Sequence, residues 1–156
     1  MIDPKTILMQ GDLVYNHRNW ICPVVGMAKD TITVIAQHYG ESTYRKDEIH
    51  PIPLTEEIIL KLGWEEIKKG HSSYKNALGL GKQFKHPWYT SPLCIRQNSL
   101  TDLYYTLNGE FVLRYLHDLQ HVLHHTTEDD IRYDYEHDDL YLFDPEYGNR
   151  YYLIVK

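Results

Sequence analysis

The chain has 156 residues, of which 42% are hydrophobic and 24% charged, and its formal net charge is −6. This composition is typical of a folded globular protein with one domain or two small lobes, and it excludes a disordered chain. The N-terminus lacks the basic and apolar regions of a signal peptide, and no segment is apolar for long enough to span a bilayer. We therefore expect a cytoplasmic protein without a membrane segment.

Charge is distributed unevenly along the chain. The net charge is −2 over residues 1–62, +4 over residues 63–100 and −8 over residues 101–156. An acidic C-terminal third repels phosphates, which predicts that the protein does not bind duplex nucleic acid. The basic middle third is compatible with binding of one small anion.

Tyrosine is the residue type most in excess, with 14 Tyr against 3 Phe and 3 Trp. Tyrosine suits half-buried strand positions, where the ring packs and the hydroxyl stays wet. The excess favours a tyrosine-rich sheet, with a recognition surface as the alternative. The two cysteines, Cys22 and Cys94, show no metal-binding or disulfide spacing and are expected to be reduced, buried thiols.

Short β-rich runs alternate with turn residues between residues 11 and 52. The pattern predicts strands over residues 12–15, 20–27, 31–35 and 42–45. Four or five strands within about forty residues are typical of a small closed barrel. We therefore predict an SH3-like barrel as the first domain, residues 1–53.

The segment that follows marks a strand-to-helix boundary. Pro51 and Pro53 favour extended geometry, Thr55 is a good N-cap residue, and Gly63 can end a helix. These signals predict a helix over residues 56–62 at the start of a second domain, residues 54–156.

The second domain is predicted to be an antiparallel β/α lobe. Residues 103–107 and 110–114 flank Asn108-Gly109, the dipeptide favoured in type I′ hairpins, and a helix follows over residues 115–125. Alternating side chains predict a strand over residues 131–138, and residues 140–143 and 151–155 predict a C-terminal hairpin. The complete fold is therefore expected to be α+β: an N-terminal SH3-like barrel, a linking helix, and a C-terminal antiparallel sheet with one packed helix.

A basic and aromatic stretch in the middle of the chain is the first candidate site. Cations and stacking rings together suit the binding of a nucleotide or of a short single-stranded nucleic acid. The glycines before it do not form an ATP-binding loop, because Gln83 stands where a Ser or Thr is needed. The alternative is a solvated loop pinned by its tryptophan. The candidate ligand-binding residues are Lys82, Lys85, His86, Trp88 and Tyr89.

Four histidines on the predicted second helix are the other candidate. His117 and His121 are four residues apart and could hold one metal ion. However, three leucines define the buried face of this helix, and all four histidines are predicted to face solvent on the other side. The HExxH protease motif is also absent. The leucines are Leu116, Leu119 and Leu123, and the remaining histidines are His124 and His125.

Two short motifs resemble those of a family of short uncharacterised proteins from gut Bacteroidales and their phages. The first is the PIPLTEE run at residues 51–57, with the helix that ends at Gly63-Trp64, and the second is the YLHDLQ run at residues 115–120. The resemblance spans roughly residues 8–123 and implies no activity. His117 fits the pattern of the second motif, whereas the later histidines are not part of the family pattern. It places the protein in a phage or mobile element of a bacterial host.

These features together predict a non-enzymatic binding or adaptor protein of a phage or mobile genetic element. A protein partner or self-association is favoured, because an acidic, tyrosine-rich surface suits protein contacts better than nucleic-acid backbone. One alternative is a small-molecule binder that sequesters a nucleotide signal used in antiphage defence. The other is a metal-dependent hydrolase. No cofactor is predicted.

Overall fold

The computed structural model shows an α+β protein built mostly of antiparallel sheets, with two α-helices and one short 3-10 helix, Lys46–Glu48, among the described residues. The α+β class predicted from the sequence is confirmed. Every strand pairing within the described part of the chain is antiparallel. The residues that the structure describes are 7–36, 39–67, 83–89, 95–97, 105–107 and 111–144.

The N-terminal strands form one open five-stranded sheet in the order β4-β3-β2-β1-β5. All four predicted strands are confirmed to within one residue at each end. No sheet within the described residues is closed, so the predicted barrel is not confirmed. The strands are β1 Leu13–Tyr15, β2 Ile21–Met27, β3 Thr31–Ile35, β4 Glu41–Arg45 and β5 His50–Pro51.

A second five-stranded sheet has the order β10-β9-β8-β7-β6. Its last two strands pair antiparallel with Leu107 opposite Phe111, as expected for the predicted hairpin, although residues 108–110 lie outside the described residues. The strands are β6 Glu65–Glu66, β7 Gln83–Lys85, β8 Ile95–Gln97, β9 Tyr105–Leu107 and β10 Phe111–Leu113.

A separate hairpin consists of β11, Asp130–Asp134, and β12, Asp139–Phe143. The prediction of one strand through residue 138 is wrong, because the Asp134 carboxylate accepts hydrogen bonds from the backbone amides of Glu136 and His137 and reverses the chain there. Strand β12 therefore pairs with the strand before it. The predicted partner strand, residues 151–155, lies outside the described residues.

The first helix, α1, spans Glu56–Lys61 and confirms the predicted boundary. The Thr55 hydroxyl caps it by accepting a hydrogen bond from the Ile58 amide at 3.3 Å. Gly63 then adopts a φ of 104°, a left-handed conformation that glycine reaches without steric cost. Local sequence signals were sufficient here because the cap and the stop act within one turn of the helix.

The second helix, α2, spans Leu116–Thr127. At its start, the Asp118 carboxylate accepts hydrogen bonds from the amides of Arg114 and Tyr115, at 3.0 and 2.9 Å. Its three leucines, Leu116, Leu119 and Leu123, are fully buried, as predicted. Neither helix of the described chain is long and apolar enough to cross a membrane.

The core consists of two clusters of buried side chains. The larger joins the α2 leucines to β7, β9, β10 and the β11–β12 hairpin, and it also takes in Leu13 and Ile52 from the N-terminal region. The smaller lies within the N-terminal sheet and includes Cys22, Val24 and Ile32. Burial raises the pKa of the Cys22 thiol to about 11, which keeps it protonated and unreactive, as expected.

Candidate functional site

The two motifs singled out in the sequence contact each other through their backbones. The Leu54 amide donates to the Arg114 carbonyl at 3.0 Å, and the Leu116 amide donates to the Ile52 carbonyl at 2.8 Å. Pro53 and Tyr115 form an isolated β-bridge between these bonds. The start of α2 is therefore fixed to the segment that leads into α1.

Gln120 connects three separate parts of the chain from the interior. Its side-chain oxygen accepts a hydrogen bond from the Leu13 amide at 2.9 Å. Its side-chain nitrogen donates to the carbonyls of Gly11 and Ile131, at 3.1 and 3.0 Å. Because the residue is only 3% exposed, these bonds form in a medium where unpaired polar groups are costly. The amide thus fixes α2 against both β1 and β11.

The next residue of α2, His121, is paired with Asp12. The imidazole Nε2 lies 2.6 Å from the Asp12 Oδ2 atom, which also accepts a hydrogen bond from the Met9 amide at 2.8 Å. This hydrogen bond is the main reason that the pKa of His121 is raised. The pair is partly buried and reinforces the contact that Gln120 makes between α2 and the N-terminal region.

His117 is the most unusual polar residue in the structure. It is 1% exposed, and neither ring nitrogen has a hydrogen-bond partner among the residues that the structure describes. The ring lies parallel to that of Tyr115 at 5.5 Å, while Nε2 is 3.7 Å from the nearest Asp118 oxygen. Burial lowers the pKa of His117, which favours the neutral imidazole at pH 7.

The prediction that all four histidines face solvent is therefore wrong for His117 and only partly right for His121. The helical pattern identified one buried face, whereas the N-terminal region covers a second face of α2 through Gln120 and Asp12. His124 and His125 are exposed, as predicted.

The predicted metal ligands lie near each other, with the ring centroids of His117 and His121 5.7 Å apart. In the part of the chain that the structure describes, however, no group of three or more His, Cys, Asp or Glu side chains is arranged to hold a metal ion. Asp134, one of the acidic residues after α2, accepts a hydrogen bond from the Glu136 amide in the turn between β11 and β12.

The predicted ligand-binding residues are divided between surface and interior. Lys82 lies outside the described residues, and Lys85 is exposed at the end of β7. His86 is 1% exposed; its Nδ1 accepts a hydrogen bond from the Trp88 amide and its Nε2 contacts the Leu62 carbonyl, both at 3.0 Å. Since Nδ1 is an acceptor, Nε2 carries the proton and donates it to that carbonyl.

The two aromatic residues of this candidate site pack inward. Trp88 and Tyr89 are half-buried against the larger core, and the rings of His86 and Tyr89 both contact Trp64. The Tyr89 hydroxyl donates to Asp129, and burial raises the pKa of this phenol. The structure thus brings His86, Trp88 and Tyr89 together as an interior cluster and leaves Lys85 outside it.

A cavity of about 720 Å³ opens between the N-terminal sheet, α1 and the β11–β12 hairpin. Half-buried rings of Tyr15, Trp20 and Tyr133 line it, and Ile52 and Leu140 are its fully buried residues. We call this cavity the aromatic groove. Its volume falls in the range of about 300–1,000 Å³ that is common for binding sites.

Two polar side chains that line the groove are paired with neighbouring carboxylates. The Lys61 ammonium lies 3.2 Å from an oxygen of Asp139, and the Tyr133 hydroxyl donates to Asp138 at 2.6 Å. At the N-terminal side, Trp20 stacks on Tyr39 with ring centroids 5.2 Å apart.

The position of this groove could not be predicted from the sequence. Its rings come from β1, β11 and the turn before β2, and only the tyrosine excess hinted at such a surface. No protein-family model matches the chain, and neither a curated protein nor a solved structure matches it.

Proposed function

We propose that this protein is a non-enzymatic binding module that acts through protein–protein contacts, and that the aromatic groove is its binding surface. The observation that carries the proposal is the set of three half-buried rings, Tyr15, Trp20 and Tyr133, around an apolar floor. Tyrosine and tryptophan contribute much contact area at a low entropic cost and are enriched at protein interfaces.

The chemistry of the groove supports binding rather than catalysis. Its lining, as far as the structure describes it, contains no His, Cys or Ser. The Thr55 hydroxyl accepts the cap hydrogen bond of α1, and the Lys61 ammonium is paired with Asp139. An activated nucleophile is commonly a thiol or a hydroxyl next to a histidine, and the described lining contains neither a thiol nor a histidine.

The proposed biological setting comes from the sequence resemblance. We place the protein in the bacterial cytoplasm, encoded by a phage or mobile element, with anti-defence activity as one role for such a binder. The backbone contact between residues 52–54 and 114–116 supports a structural role for both motifs. We also propose that the N-terminal unit is SH3-like, since β1 pairs with both β2 and β5 in a five-stranded antiparallel sheet.

The nucleotide-binding alternative has weaker support. Both ring nitrogens of His86 are used by backbone groups, and the Tyr89 hydroxyl is used by Asp129. A ligand at that position would have to displace internal contacts. The metal-dependent hydrolase also remains a prediction, and the described residues contain no group of three metal-ligating side chains that would favour it.

Peptide display on the purified full chain tests the proposal. We expect enrichment of peptides that bind the wild type but not Ile58→Arg, because Ile58 lines the groove and an arginine there would obstruct it. Leu60→Arg is the matched control, since Leu60 lies on the same helix, is 46% exposed and is outside the lining.

A thermal unfolding scan of both variants would first show that they are folded. Peptides that bind wild type, Ile58→Arg and Leu60→Arg equally well would contradict the groove as the binding surface. Stabilisation by nucleotides without any enriched peptide would favour the small-molecule alternative, because a ligand of the native state raises its stability with concentration.

A further inference from the structure

We propose that the protein segment bound in the aromatic groove presents a lysine or arginine side chain, which lies between Glu57 of α1 and Asp138 of the β11–β12 turn. This inference rests on the proposed function and specifies the chemistry of the partner. It is carried by the charges that surround the groove and by the apolar surface between them.

The hairpin side of the groove is strongly acidic. Residues 134–139 contain four carboxylates and one histidine, without a lysine or arginine. His137 is held against Asp134, with its Nδ1 atom 2.7 Å from a carboxylate oxygen, so its charge is matched locally when it is protonated. Asp138 lines the groove itself, and its carboxylate accepts a hydrogen bond from the neutral Tyr133 hydroxyl; within the described residues no cation is paired with it.

The helix side adds a second carboxylate. Glu57 is exposed in the first turn of α1 and lines the groove. Lys61 is the one cation in the described lining, and its ammonium is paired with Asp139 at 3.2 Å. Arg18 lies nearby with its guanidinium 5.2 Å from the centre of the Trp20 ring. The described lining itself holds two carboxylates and one cation, and that cation is already paired, so the lining favours a cationic occupant over an anionic one.

Lysine and arginine also fit the apolar part of the groove. Their aliphatic stems pack on apolar surface while the charged head remains at the solvent edge. Here Ile58 and the Tyr133 ring provide such a surface beside the two carboxylates. The acidic C-terminal third would in addition steer a basic partner toward this face and repel phosphates.

Fluorescence anisotropy with two labelled octapeptide pools tests the inference. The pools share the same mixture of Leu, Val, Tyr and Pro at seven positions and carry either Lys or Glu at the fourth position. We expect the Lys pool to bind wild type at least fivefold more tightly than the Glu pool. Glu57→Lys should weaken Lys-pool binding about fivefold, the upper range for one exposed charge pair. The control Glu65→Lys makes the same charge change outside the groove lining.

The outcomes separate the two proposals. Equal binding of both pools that is lost in Ile58→Arg but unchanged in Glu57→Lys would overturn the basic partner and keep the groove. If Glu57→Lys and Glu65→Lys weaken binding of the Lys pool equally, the weakening results from the change in net charge, and the basic partner is likewise overturned. If neither pool binds the wild type, both the basic partner and groove binding of such segments are contradicted.

Discussion

The interior around Gln120 and the aromatic groove use polar and aromatic side chains in opposite ways. Gln120 is buried, and the hydrogen bonds of its side chain are made with backbone groups. The rings of the groove are half-buried, and the charged groups of the groove are exposed at its rim. One segment contributes to both, since the Ile52 carbonyl accepts a bond from α2 while Ile52 also lines the groove. Substitutions in the interior should therefore change stability, and substitutions in the groove should change binding.

The largest expected loss of stability comes from Gln120→Leu. This change leaves the Leu13 amide and the Ile131 carbonyl buried without partners, which should lower the free energy of unfolding by about 3 kcal/mol. Urea denaturation measures it. Gln10→Leu is the control, because Gln10 is exposed and its replacement should have little effect. A variant as stable as wild type would show that Gln120 does not hold β1, α2 and the β11–β12 hairpin together.

His117→Phe, in contrast, should stabilise the protein. The substitution keeps a ring to stack on Tyr115 and removes two buried nitrogens that have no hydrogen-bond partner in the described part of the chain. We expect the free energy of unfolding at pH 7 to rise by about 1 kcal/mol. A loss of more than 1 kcal/mol in the same urea experiment would mean that the imidazole makes a favourable contact that this structure does not show.

Thr55→Ala is expected to change both stability and the groove, because Thr55 caps α1 and also lines the groove. Loss of the cap should lower the free energy of unfolding by about 1 kcal/mol. Thr55→Ser keeps the hydroxyl and should recover most of this loss. If alanine and serine are equally destabilising, the methyl group rather than the cap is the important part of the side chain.

The two histidines of α2 should give opposite pH dependences. Burial lowers the pKa of His117 below the unfolded value of about 6.5, so its neutral form favours folding above that pH and the benefit is lost as the pH falls through the folded pKa. The advantage of His117→Phe should therefore grow from pH 7.5 to 5.5. A constant difference across that range would contradict the lowered pKa.

For His121, the bond to Asp12 raises the pKa, so its contribution to stability is complete below about pH 6.5 and is lost as the pH rises through the folded pKa. The stability difference between wild type and His121→Gln should shrink as the pH is raised from 6 to 8.5. Urea titrations at these pH values measure it, and a difference that widens with pH would contradict the pairing.

Local features of the fold could be predicted from sequence. The cap of α1, the buried leucines of α2 and the N-terminal strands depend on neighbouring residues, and all agree with the structure. The burial of Gln120 and the pairing of His121 could not be predicted, because residues more than 100 positions away provide a second contact face of α2. The groove was missed for the same reason, since its walls come from three separate parts of the chain.

The three tryptophans allow a direct test of where ligands bind, because each reports on a different region. Trp20 lines the groove, Trp64 is buried in the core, and Trp88 belongs to the cluster predicted to bind nucleotides. In fluorine NMR of protein labelled with 5-fluorotryptophan, we expect the Lys peptide pool to shift the Trp20 signal and leave those of Trp64 and Trp88 unchanged. A Trp88 signal that shifts with added nucleotides, while Trp20 responds to no peptide, would contradict the groove as the functional site.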